Sequence, residues 1–168
     1  MKHDDIFLMV ARILYDKGYQ EYVDAASIIR QKYPNVSIEL LGATDFSSPM
    51  GVPKSVLEKD VADGKVNYLG VTNDVPSYLK RPKVVIVIAS SYPEGMNRAL
   101  MEALAMGKPI ITTNIPGCKE MVDEEVNGFL VPPKYELSVV FPMANSSMFV
   151  FPIMIMPAFR AFLTAVAS

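Results

Sequence analysis

The chain has 168 residues, of which 51% are hydrophobic and 20% charged, a composition that fits a folded domain with a sizeable core rather than a disordered protein. The net charge of −2 argues against a nucleic-acid-binding surface that depends on positive charge, so no nucleic acid is expected among the partners. The single cysteine, Cys118, excludes an intrachain disulfide, and with only one histidine, His3, a zinc cluster is not expected.

Short apolar runs alternate with segments of helical spacing along most of the chain. Continuous apolar runs are typical of strands buried on both faces, and apolar residues spaced three or four apart are typical of helices packed on a sheet. The runs predict strands at residues 6–11, 36–41, 66–69, 84–89, 110–113 and 129–131. The segments between them predict helices at residues 19–33, 54–62, 75–80, 96–106 and 118–122. This order predicts an α/β fold, a doubly wound parallel sheet of about six strands with helices on both faces.

The composition changes abruptly near the end of the chain, which divides it into an α/β domain, residues 1–135, and an apolar tail containing prolines, residues 136–168. The apolar run of the tail, 148–159, is shorter than the roughly 20 residues of a membrane-spanning helix and contains two prolines. A membrane-associating tail, a hydrophobic cover for the sheet and an altered reading frame all remain open. Asp4 and Asp5 interrupt any apolar leader, so a cytoplasmic location, with peripheral membrane contact at most, is expected.

The loop after the fourth predicted strand and the helix that follows it carry two acids. Glu94 lies in this loop and Glu102 lies two turns into the helix. In a parallel α/β sheet, ligands bind beyond the carboxyl ends of the strands, and helix N-termini attract anions. Carboxylates accept hydrogen bonds from vicinal hydroxyls, as in a ribose or a hexose. By spacing alone, an Arg98–Glu102 salt pair, with Glu94 as an acid at the helix N-terminus, explains the two acids slightly better.

Four further positions follow predicted strands at the same edge of the sheet. Arg12 and Lys17 come after the first strand and could clamp a diphosphate, although most Arg and Lys side chains are solvated surface charges. Gly42 follows the second strand and could lie against a ligand, and Val71 follows the third and could offer its backbone to a base; both also fit ordinary loops. The nearby methionines are expected to pack in the core: Met96, Met101 and Met106.

Three segments, in order along the chain, resemble the donor-binding half of the retaining glycosyltransferases of family 4, which have the GT-B fold. The most specific is an E-x7-E motif, Glu94 to Glu102 in SYPEGMNRALMEALAMGKPIITT. The family's first-strand segment resembles FLMVARILYDKG, and its segment after the fifth strand resembles IPGCKEMVDEEVNGFLVPP. The resemblance covers about residues 7–134 and implies that residues 1–135 form a Rossmann-like donor-binding domain. Residues 80–83 depart from it, since they read KRPK where the family has small residues and an Asp.

The resemblance implies a role for each matching residue. Arg12 and Lys17 would bind the diphosphate of the donor, and Glu94 would contact the hydroxyls of the transferred sugar, so these three are the candidate catalytic residues. Glu102 would bind the ribose hydroxyls, and backbone amides at the helix N-terminus would meet the sugar and the phosphates. The candidate substrate-binding residues are Glu102, Gly95, Met96, Asn97, Gly42 and Val71.

The resemblance also implies partners. Such enzymes act without a bound metal, so no cofactor or metal is expected, and the donor is a nucleoside diphosphate sugar. The segments look most like bacterial enzymes that build surface polysaccharides or lipid-linked oligosaccharides, which favours UDP-hexose or UDP-N-acetylhexosamine. The family's N-terminal acceptor-binding domain is not covered, so a separate N-terminal half is an expected partner and the isolated chain should transfer little. A non-catalytic partner domain and a membrane-attached nucleotide-binding module are the alternatives.

Overall fold

The computed structural model describes residues 5–93 and 95–133, which form a six-stranded parallel sheet with helices on both faces. The strands are β1 (Ile6–Val10), β2 (Ser37–Leu41), β3 (Asn67–Tyr68), β4 (Val84–Ile88), β5 (Ile110–Thr113) and β6 (Gly128–Val131). The α-helices are α1 (Tyr19–Lys32), α2 (Lys54–Ala62), α3 (Val75–Leu79) and α4 (Arg98–Ala105), and 3₁₀ turns lie at Tyr15–Lys17 and Lys119–Met121. The predicted doubly wound α/β sheet is confirmed. Glu94 and the predicted tail, 136–168, lie outside the described residues.

Each face of the sheet has its own hydrophobic core, because successive side chains of a strand point to opposite faces. On one face, Phe7 and Met9 of β1 pack with the buried residues of α1 and with Leu57 of α2. On the other face, Leu8 of β1 packs with Leu79 of α3 and with Leu100 of α4. The central strands are therefore buried on both sides, which explains why their sequences are continuous apolar runs.

The strand order β3-β2-β1-β4-β5-β6 places the reversal of the chain between β1 and β4. From β1 the chain moves outward to β2 and β3, and it then returns to the opposite side of β1 to build β4, β5 and β6. All the strand pairs are parallel, so the loops that follow β1 and β4 leave the sheet side by side. Ligands of open α/β sheets bind at such a reversal, beyond the carboxyl ends of the strands.

A hydrogen-bonded tyrosine joins α1 to α2. The buried Tyr19 hydroxyl donates to Asp60 Oδ2 at 2.8 Å, and Lys65 Nζ lies 2.9 Å from Asp60 Oδ1. Burial, followed by the hydrogen bond to Asp60, raises the pKa of Tyr19 far above its ordinary value of 10.0. The phenol therefore stays neutral in the folded protein when an unfolded chain would ionise it.

Tyr19→Phe should lower the free energy of unfolding by roughly 1–3 kcal/mol at neutral pH, because it leaves the buried Asp60 with one donor fewer. It should also reduce the loss of stability above pH 10. There the unfolded wild type releases the Tyr19 proton and the folded protein keeps it, so alkali favours unfolding. Urea denaturation between pH 7 and pH 11 measures both effects. An equal alkaline loss in the two proteins would contradict the assignment.

Within residues 5–93 and 95–133, no helix has the length and the apolar composition that crossing a membrane requires.

Candidate functional site

The loops that follow β1 and β4 are hydrogen-bonded to each other at the reversal point. The backbone N–H of Ser91 donates to the carbonyl of Asp16 at 2.9 Å, and the Ser90 hydroxyl lies 3.2 Å from the same oxygen. Gly18 has a φ of +86°, and a Cβ placed there would lie only 2.2 Å from the carbonyl oxygen of Ala89. The two loops thus form one joined rim of a crevice beyond the sheet.

The rim on the β1 side carries both predicted cations. Arg12 is exposed, and Lys17 is half-buried at the end of the 3₁₀ turn. The structure thus brings Arg12 and Lys17 to the edge that the sequence predicts for them. Hydrogen bonds from Ser47 and Ser48 lower the pKa of the Asp45 carboxyl, and the nearby charge of Arg12 adds to this lowering. Asp45, in the loop after β2, is therefore an acidic neighbour of Arg12 that sequence reasoning did not single out.

The rim on the β4 side ends at the N-terminus of α4. The predicted helix started at residue 96, but the observed one starts at Arg98 because Asn97 is its N-cap, with its side-chain oxygen accepting from the Leu100 N–H at 3.1 Å. The N–H groups of Arg98 and Ala99, in the first turn of the helix, have no acceptor within the helix. Such groups favour an anion.

Glu102 lies on the same helix and forms the salt pair that its spacing predicts. Arg98 Nε donates to Glu102 Oε1 at 2.8 Å, with the Arg98 side chain 87% exposed and that of Glu102 26% exposed. The described residues give Glu102 Oε2 no hydrogen bond. The salt pair and a hydroxyl-accepting role are therefore compatible, since a carboxylate has about four lone-pair sites.

Gly95 and Met96 precede the helix cap and are exposed, and the Met96 side chain reaches 73% exposure. The prediction that Met96 and Met101 pack in the core is wrong, because both are exposed, whereas Met106 packs against the core beside α4. Met96 lies before the N-cap, where helical spacing no longer decides which face a side chain takes. Glu94 lies outside the described residues, and its predicted catalytic role stays a prediction.

Gly42 and Val71 lie on the far side of the crevice, after β2 and β3. The Gly42 N–H donates to Gly70 O at 2.9 Å and its carbonyl accepts from the Tyr68 hydroxyl at 2.8 Å. A Cβ at Gly42 would lie 1.9 Å from the carbonyl oxygen of Ala11, so this glycine lets β2 and the β1 loop approach closely. Val71 is 69% exposed. The structure thus gives Gly42 a packing role and leaves Val71 accessible.

Sequence reasoning also passed over Ser90 and Ser91, the residues that join the two loops. The sequence did contain a signal for them, since these two hydroxyl side chains directly follow a buried apolar strand, as Arg12 follows the first predicted strand. The Ser90 carbonyl in turn accepts from the Thr113 hydroxyl at 2.6 Å, which ties the rim to the end of β5.

The rim thus offers two cations and the N-terminus of α4, with a carboxylate one turn along that helix. This combination suits a ligand that has an anionic part and a diol part. The described residues contain no group of three or more His, Cys, Asp or Glu side chains arranged to hold a metal ion.

Comparison with known proteins places this geometry in a family. Residues 2–139 match the family model described as "Glycosyl transferases group 1". The N,N'-diacetylbacillosaminyl-diphospho-undecaprenol alpha-1,3-N-acetylgalactosaminyltransferase of Campylobacter jejuni is 29% identical over 123 residues, which are 73% of this chain and 30% of that protein. The UDP-Gal:alpha-D-GlcNAc-diphosphoundecaprenol alpha-1,3-galactosyltransferase of Escherichia coli is 30% identical over 129 residues, 75% of this chain and 32% of that protein. The chain spans about a third of the length of such relatives.

Solved structures show the same fold. Anabaena HepE in complex with UDP has a TM-score of 0.66 and 26% identity, covering 79% of this chain and 36% of HepE. HepE in complex with UDP-glucose has a TM-score of 0.64 and 26% identity, and the match covers 78% of this chain and 36% of HepE. This likeness confirms the predicted Rossmann-like sheet as one half of a GT-B fold. The chain belongs to the group 1 glycosyl transferases.

Proposed function

We propose that the chain is the donor-binding domain of a retaining glycosyltransferase of family 4 and that it binds a UDP-sugar. The observation that carries the proposal is the joined rim at the reversal point, where the loop that carries Arg12 and Lys17 is hydrogen-bonded to the loop that continues to the N-terminus of α4. Two cations and the free N–H groups of a helix suit a diphosphate, and Glu102 farther along the helix suits ribose hydroxyls.

The relatives support this donor class. HepE has been solved with UDP and with UDP-glucose, and the E. coli relative is named for UDP-Gal. The names of the C. jejuni and E. coli relatives both describe a diphospho-undecaprenol acceptor. We therefore propose UDP-hexose or UDP-N-acetylhexosamine as donor. The process would be the synthesis of surface polysaccharide or lipid-linked oligosaccharide at the cytoplasmic face of the membrane.

The proposed chemistry is charge stabilisation without a metal. As the bond between sugar and diphosphate breaks, negative charge grows on the leaving nucleoside diphosphate, and Arg12, Lys17 and the α4 N-terminus would stabilise it. Glu102 would hold the ribose and so fix the position of the diphosphate along the rim. Glu94 keeps its predicted contact with the hydroxyls of the transferred sugar.

Transfer also needs an acceptor site, which we propose is supplied by a further domain. The relatives are about three times the length that this chain matches, which supports an additional half on the other side of the crevice. Closure of two domains would exclude water from the donor sugar, so the chain alone should bind UDP-sugar and transfer little. A non-catalytic role as the partner of a separate N-terminal half is the alternative. Transferase activity that is recovered only on co-expression with such a half would favour this alternative.

Glu102→Ala should raise the Kd for UDP roughly 10-fold, because the loss of hydrogen bonds to a charged group costs about 1.5 kcal/mol or more. Arg98→Ala is the matched control, since it breaks the same salt pair but keeps the carboxylate, and it should change the Kd less than about threefold. Calorimetric titration measures both. Equal effects of the two variants, or wild-type affinity in Glu102→Ala, would refute the ribose role.

A further inference from the structure

The position of Lys17 is set by the segment 89–91 of the β4 loop. On one side of Lys17, the carbonyl of Asp16 accepts from the Ser91 N–H at 2.9 Å and lies 3.2 Å from the Ser90 hydroxyl. On the other side, Gly18 packs against the backbone of Ala89, so closely that a Cβ would not fit. The residues before and after Lys17 are thus both held by one short stretch.

Both serines of this stretch have hydroxyls near Asp16 O, at 3.2 Å for Ser90 and 3.4 Å for Ser91, and Ser90 is the fully buried one. It is 0% exposed, and its hydroxyl lies 3.2 Å from Asp16 O and 3.2 Å from Tyr92 O, so its one proton is shared between the two carbonyls. One of these acceptors belongs to the Lys17 turn, and the other belongs to the loop that continues towards Gly95. A single hydroxyl thus links the loop with the cation to the loop that leads to α4.

We propose that Ser90 is a positioning residue for the donor diphosphate: its hydroxyl holds the Asp16–Lys17 peptide so that the Lys17 ammonium meets the phosphates. The inference rests on the proposed function and deepens it, because it assigns a role to a residue that does not itself touch the ligand. Without the hydroxyl, the Asp16–Lys17 peptide loses one of the hydrogen bonds that join it to the β4 loop, so the position of the Lys17 ammonium is fixed less closely.

A double-mutant cycle tests this by measuring the Kd for UDP in four proteins by NMR titration: wild type, Ser90→Ala, Lys17→Met and the double variant. A residue that acts through Lys17 loses its effect once Lys17 is gone. Ser90→Ala should raise the Kd roughly fivefold in the wild-type background and leave it unchanged in the Lys17→Met background. The same fivefold rise in both backgrounds, or no rise in either, would overturn the proposal.

Thr112→Val is the matched control, since the buried Thr112 hydroxyl donates to Ile88 O at 2.8 Å and does not join the two loops. It removes a comparable hydrogen bond and should leave the Kd for UDP unchanged in both backgrounds. A rise in Kd on Thr112→Val that disappears in the Lys17→Met background would show that the effect is not specific to Ser90.

If Ser90→Ala does not fold, Ser90→Cys, which has a weaker donor, replaces it. Ser90→Cys should raise the Kd less than roughly fivefold, and only when Lys17 is present. A Kd that does not rise would overturn the proposal. If the wild type does not bind UDP, the proposed function itself fails, and this inference falls with it.

Discussion

Replacing Arg12 and Lys17 together with methionine should weaken UDP binding at least roughly 100-fold, since each charge-assisted hydrogen bond to phosphate contributes about 1.5–3 kcal/mol. Both residues lie on the β1 side of the joined rim, whose β4 side continues to the N-terminus of α4. Methionine keeps much of their length and removes the charge, so packing changes little. Each single variant should lose about 10-fold, and the affinity for uridine, which has no phosphate, should not change.

Lys32→Met is the control for the change in net charge of each single variant, because it removes one cation at the C-terminal end of α1, at the opposite edge of the sheet. Its Kd for UDP should match the wild type at moderate salt, where charges farther apart than about 10 Å are screened. Calorimetric titration of all the variants gives the comparison. Wild-type affinity in the double variant would mean that the diphosphate binds elsewhere.

Arg81→Met should be the most destabilising of the substitutions considered, at about 3 kcal/mol of unfolding free energy, because it leaves a buried carboxylate without its cation. The two guanidinium NH groups of Arg81 donate to Glu39 at 3.1 Å and 2.6 Å, and the Glu39 side chain is only 8% exposed. The Ser37 hydroxyl also donates to Glu39 Oε1, at 2.9 Å, and it cannot replace the lost charge.

The double variant Glu39→Gln/Arg81→Met should recover part of this loss, because removing both charges leaves no uncompensated ion. Arg81 precedes β4 at the amino edge of the sheet, so the Kd for UDP should not change in the folded fraction of either variant. Urea denaturation with a matching UDP titration measures both quantities. A single variant as stable as the wild type would show that Glu39 does not need its partner.

The strands and helices could be predicted because burial on both faces leaves a clear pattern. The predicted helix 54–62 and the predicted strand 110–113 agree with α2 and β5 at both ends. The start of α4 was missed by two residues because the apolar spacing alone extends the helix back to Met96, whereas Asn97, a favoured N-cap residue, caps the Leu100 N–H. The strand order is set by long crossovers, which leave no local signal in the sequence.

The part of the candidate site that the sequence predicts is the set of residues just after strands, such as Arg12 and Val71. They are predictable because parallel strands bring those positions to one edge of the sheet. The Ser90 contact with Asp16 joins residues 74 positions apart, and the Arg81–Glu39 pair joins residues 42 apart. Such contacts depend on which strands are neighbours and on side-chain rotamers, and neither follows from spacing. The KRPK departure from the family pattern has its structural reason in this pair, since Arg81 neutralises an acid within β2.

On the proposed function, UDP binds where the β1 and β4 loops are joined. Mapping amide chemical shifts of the 168-residue chain during a UDP titration tests it most directly. We expect shifts that saturate together at residues 12–18, at residue 71 and at residues 95–99, with no change at residues 80–83 and 107–109 on the opposite edge. A well-folded sample that shows no shift at millimolar UDP, or shifts confined to the opposite edge, would contradict it.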